Sequence, residues 1–150
     1  MNVLKMLSLL LCFVFSIQPR PVLEFNNKFI CPMNNGQIKL KHSANSSGEI
    51  IDPKASILII GSDERIISCC YGEVKKIKVA EDSLYTIIMS SSKYYFVYVG
   101  LNIINIKENQ KIDKGQIIGT SYSKTVEFLI YKDGMPIEKP ETILNCKCAN

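Results

Sequence analysis

The side chains best equipped for chemistry in this 150-residue chain are six cysteines and one histidine, His42. Thiolates and imidazoles bind zinc, and a thiol beside an imidazole becomes a nucleophile, so spacing decides what these residues can do. Cys69 and Cys70 are adjacent, and Cys146 and Cys148 flank a single residue. Structural zinc sites usually place about two to four residues between the ligands of each limb, a spacing that neither pair has. Ser68-Cys69-Cys70 would need an imidazole to act as a nucleophile, and His42 is remote in sequence. A structural reading is left. Cys31 near the start and Cys146 or Cys148 near the end can staple the termini of a small exported domain. A bond between Cys69 and Cys70 would be strained, so each is expected to pack as a small apolar residue or to reach a distant partner.

Export is expected from the first residues. Lys5 is followed by the apolar run Met6 to Phe15 and the small residue Ser16. This is the layout of a signal peptide, shorter than the roughly 20 residues of a membrane-spanning helix. Cleavage after Ser16 removes Cys12 and leaves Cys31, Cys69, Cys70, Cys146 and Cys148, an odd number. The predicted organisation is a signal peptide at 1–16, a linker at 17–28, one domain at 29–144 and a cysteine-containing tail at 145–150. No later segment reads as a membrane span, so the mature protein is expected to be secreted or periplasmic. The net charge of +4 is spread along the chain. Lys75, Lys76 and Lys78 read as the solvated face of a strand, and no basic stripe interleaved with aromatics points to nucleic acid. Asn45-Ser46-Ser47 matches a glycosylation acceptor, relevant only in a eukaryotic secretory route.

These residues must be positioned by strands. From Ile57 onward the apolar runs are short, rich in Ile, Val, Tyr and Phe, and broken at Gly61, Gly72, Gly100, Gly115, Gly119 and Gly134. Upstream, Gln37 to Lys41 alternates between the turn-rich segments at Asn34-Asn35-Gly36 and Asn45 to Gly48. No amphipathic helix follows the signal. An all-β domain is predicted, a packed sheet pair or small barrel. Tyr94 to Val99 is apolar on both alternating faces, as in a strand covered on two sides or lining a groove. In Val74-Lys75-Lys76-Ile77 the alternation slips by one, which predicts a β-bulge at Lys75-Lys76.

The most specific run is Asn105 to Gly119. Its Asp113-Lys114-Gly115 forms a tight turn with glycine where a positive φ is needed, flanked by Ile112 and Ile117. With Phe128 to Pro140 after it, Tyr98-Val99-Gly100-Leu101 before it, and Phe29 to Ile38 as an opening strand, the order resembles that of the lysostaphin-type peptidoglycan endopeptidases. The resemblance covers roughly residues 29–144. It implies a compact two-sheet, barrel-sandwich hybrid scaffold related to biotinyl and sugar-transport carrier modules. Lys114 in its hairpin turn could suggest a carrier lysine, but that attachment is cytoplasmic chemistry, and the signal points outward.

The same resemblance implies zinc, held by a His and an Asp four residues later and by the second His of a late His-x-His, with two further histidines assisting the attacking water. This chain departs from that pattern throughout. Gly100 stands in place of the histidine of Tyr-x-His-Leu, and Thr125 and Glu127 replace those of His-x-His-Phe. The first two ligand positions fall near Pro53 and Ile57. The expectation is therefore a degenerate member with no catalytic residues, no metal ligands and no cofactor. Its vestigial cleft, lined by Tyr98, Gly100, Thr125 and Glu127, would bind peptidoglycan or a cell-wall hydrolase. Two alternatives stay open: an active zinc endopeptidase that recruits His42 and Asp52, and a disulfide-stapled structural domain without a ligand cleft.

Overall fold

A computed structural model describes residues 29–40 and 56–148. The strands are β1 (Phe29–Ile30), β2 (Gln37–Leu40), β3 (Ile57–Ile60), β4 (Arg65–Ile67), β5 (Gly72–Val79), β6 (Tyr85–Ser91) and β7 (Tyr94–Leu101), followed by β8 (Ile103–Ile104), β9 (Lys111–Ile112), β10 (Ile117–Thr120), β11 (Thr125–Lys132), β12 (Met135–Pro136), β13 (Leu144–Asn145) and β14 (Lys147–Cys148). Among the described residues there is no α-helix, only a 3-10 turn at Pro140–Thr142. The all-β expectation holds. No helix among these residues is long and apolar enough to cross a membrane.

One large sheet runs in the order β14-β2-β3-β11-β7-β6-β5-β9, with β12 also paired to β11, and a smaller sheet has the order β4-β10-β8. Strand register sorts the residues into faces, because directly opposed residues point to the same side. Phe128 pairs with Tyr98, and Tyr98 with Ile87. Ile130 pairs with Phe96, Phe96 with Met89, and Met89 with Val74. These rows form the inner face and pack with Ile66 of β4 and Ile118 of β10 into one buried cluster. Phe128, Phe96 and Tyr98 are its largest side chains, with the Tyr98 and Phe128 rings edge to face at 4.9 Å. Burying each contributes roughly 1.5–3 kcal/mol.

The bulge lies where the slipped alternation puts it. The β5/β6 register shifts between Val74 and Lys76, so Val74 opposes Met89 and Ile77 opposes Ile87, both inward. The lysines point out: Lys75 pairs with Glu73 at 2.6 Å and Lys76 with Glu108 at 3.4 Å. Gly115 has φ +81°, as its turn requires.

The termini are tied more fully than a tail implies. β1 pairs with β13 in parallel, and β14 with β2. Residues 147–148 are thus part of the large sheet. Cys31 and Cys146 form a disulfide across 115 positions, whereas Cys148 is exposed and free. The run Ile66 to Cys70 is strand only to Ile67, after which the chain bends through Ser68–Tyr71.

Candidate functional site

The outer face of the large sheet is set by the register opposite in parity to the core. Lys39, Leu58, Glu127, Val99 and Thr86 form one row, and Leu129, Val97 and Ile88 form the next, in which Leu129 and Val97 are buried, so this face is not open throughout. Thr125 lies beside Ile60, which is 39% exposed. Three of the four expected cleft residues lie on the neighbouring strands β11 and β7. Thr125 and Glu127 are half-buried on one strand face, and Gly100 is half-buried at the end of β7.

Gly100 sits at an irregularity. Val99 opposes Thr86 and Leu101 opposes Tyr85, so the β6/β7 register shifts at this point and Gly100 is the residue left over. Its φ is +95°, a conformation that costs a residue with a Cβ but not glycine. A Cβ built there would meet nothing within 4 Å. The space beside Gly100 is therefore open, and this open position is the recess.

Tyr98 is corrected. It is fully buried on the inner face, where its hydroxyl accepts from the Cys69 backbone N–H at 3.1 Å and donates to Cys69 Sγ at 3.2 Å. Burial pushes its phenol well above the usual range, with the nearby thiols of Cys69 and Cys70 adding to it. Tyr98 fixes the bend after β4 and does not line the recess.

Sequence reasoning missed a polar feature leading into β11. Ser121, Ser123 and Thr125 recur at every second position, and their hydroxyls form a chain, Ser121 to Ser123 at 3.2 Å and Ser123 to Thr125. Period-two hydroxyls leading into an apolar strand were the available signal. Ser121 is buried, Ser123 exposed and Thr125 half-buried, so the hydroxyl chain runs from the interior to the surface at the start of β11.

The zinc implied by the resemblance does not fit these positions. A hydrolytic site takes about three protein ligands and leaves one place for water. Gly100 offers no side chain, Thr125 a hydroxyl and Glu127 a single carboxylate. Ile57, at the other implied ligand position described, is a buried core residue of β3. No group of three or more His, Cys, Asp or Glu able to hold a metal ion occurs among the described residues. His42, Asp52 and Pro53 lie outside the described residues, as does the expected signal peptide.

Comparison with protein-family models and with curated proteins gives no match. Solved structures do match. A chain of the SpoIIQ–SpoIIIAH pore-forming complex aligns with TM-score 0.58 and 19% identity over 79% of this chain and 91% of that one. Csd3 of Helicobacter pylori aligns with TM-score 0.60 and 22% identity over 79% of this chain. This chain spans only 33% of the Helicobacter protein's length. A point mutant of the catalytic domain of EnpA, a prophage-encoded M23 protein from Enterococcus faecalis, aligns with TM-score 0.52 and 17% identity over 71% of this chain and 89% of that one.

Proposed function

We propose that this domain, which has the fold of the lysostaphin-type peptidases, is an exported, non-catalytic module whose recess at Gly100 binds cell-wall peptide. The observation that carries the reading is Gly100 itself. Where the resemblance implies a water-activating imidazole, a backbone bulge with φ +95° leaves a space that no neighbour fills. An extended wall peptide carries amides and ammonium groups. The hydroxyls of Ser123 and Thr125 are complementary donors and acceptors for its amides.

Retention of the mature chain on purified peptidoglycan tests this. Gly100→Val and Thr125→Tyr should each weaken retention about tenfold, roughly 1.4 kcal/mol, with an unchanged circular dichroism spectrum. Folded variants retained as well as wild type would sink the recess as the binding site. Elemental analysis of protein never exposed to chelator addresses the other half of the proposal. One zinc per chain, abolished by His42→Ala, would establish the relocated-ligand enzyme instead.

A protein partner is the second reading, supported by the likeness to a chain of the SpoIIQ–SpoIIIAH complex across most of that chain's length. Capture of a wall hydrolase with no retention on wall material would favour it.

A further inference from the structure

Cys69 and Cys70 occupy the bend between β4 and β5 with their thiols 3.9 Å apart, and neither belongs to the disulfide. The bend is held from both sides. Ser68 Oγ donates to the Cys70 carbonyl at 2.6 Å, and the Tyr98 hydroxyl holds both the amide and the sulfur of Cys69. The two thiols differ in access. Cys69 is fully buried, while Cys70 is 7% exposed and next to Tyr71, which is 66% exposed. Tyr71 and Gly72 line an open groove of about 460 Å³ together with Ser91, Lys111 and Asp113. Cys70 immediately precedes Tyr71 and Gly72 in the chain, which puts it next to the groove's lining.

Their acidities differ in the same sense. The Cys69 thiol, the Ser91 hydrogen bond and the Lys114 charge lower the Cys70 thiol, against the effect of burial. Burial, reinforced by Cys70, pushes Cys69 well up. The less deeply buried thiol is thus the better nucleophile, with the fully buried one beside it.

We propose that Cys69 and Cys70 are a redox-responsive dithiol, which a small disulfide oxidant reaching the groove converts reversibly into a disulfide between neighbouring residues. Cys70 thiolate attacks one sulfur of the oxidant, forming a mixed disulfide and releasing one thiolate. Cys69 then loses its proton and attacks Cys70 Sγ, forming the intramolecular bond and expelling the second thiolate. The chain loses two electrons and two protons, and the oxidant's disulfide becomes two thiols. Adjacent Cα atoms are about 3.8 Å apart, closer than the roughly 4.4–6.8 Å of ordinary disulfides. That strain makes the bond easy to reduce, which suits a switch better than a staple. Closing it also withdraws Cys69 Sγ as the acceptor of the Tyr98 hydroxyl.

The test equilibrates the folded mature chain in glutathione buffers from reducing to oxidising, quenches with acid, alkylates free thiols and weighs the peptides. The Cys69-Cys70 peptide should carry two alkyl groups in reducing buffer. In oxidising buffer it should carry none and be lighter by two hydrogens, reversibly, while Cys31–Cys146 stays bonded throughout. Cys70→Ser should leave Cys69 alkylated only after unfolding. Two alkyl groups under every buffer would overturn the proposal, and so would a Cys70 that stops at the glutathione adduct or links to Cys148.

Discussion

Tyr98 does at one residue what usually takes several. Its ring fills the core against Phe128, and its hydroxyl answers a backbone donor in a bend that has no ladder partner there. Tyr98→Phe keeps the ring and strands the buried Cys69 amide. We expect it to cost about 1–3 kcal/mol in urea unfolding, with an unchanged spectrum of β-structure. A loss below about 0.5 kcal/mol would mean that the amide finds another acceptor. The sequence could not place this residue. In Tyr94 to Val99 both parities are apolar, so alternation alone cannot say which face turns inward, and the Tyr-x-His-Leu resemblance drew attention to the wrong member of the motif. Thr125 and Glu127 came from the His-x-His-Phe resemblance, and they alternate with the buried Val126 and Phe128 of β11.

At the scale of elements, β5 illustrates how an edge is closed. β9 covers only Gly72 and Glu73. Past the bulge, the Ile77 N–H is taken instead by the Glu108 carboxylate at 2.9 Å. That backbone hydrogen bond, then Lys76, holds the Glu108 carboxyl below its usual range. A carboxyl depressed by folding stabilises above its unfolded value, about pH 4.3, and loses that contribution as the pH falls through the folded value. Glu108→Ala should therefore lower the thermal midpoint at neutral pH, and the gap to wild type should close below about pH 4. A gap that persists in acid would assign the effect to packing. The bulge was legible from Val74 and Ile77, whose spacing fits no regular strand. The parallel pairings of β13 and β14 were not, because two-residue strands carry no alternation and their partners lie more than a hundred positions away.

For the whole molecule, the Cys31–Cys146 bond closes the chain on itself. The two parallel pairings it secures span only two residue pairs each, too short to hold the ends unaided. Closing a loop of this length should stabilise by about 4–5 kcal/mol through the unfolded chain's entropy. We expect Cys31→Ser to lose about 3–5 kcal/mol in denaturant titration while keeping its β-sheet signal. A loss under about 1 kcal/mol would credit the terminal strands and the Phe29 contacts with Tyr94 and Phe96 instead.

The same bond bears on mechanical load. A pull applied to the chain before β1 and after β14 passes from Cys31 to Cys146 through a covalent link. Once β14 has parted from β2, the strands between the two cysteines are bypassed by the tension. Such a domain can sit in a stretched layer and keep its shape, with only the segments outside the link extending under the pull.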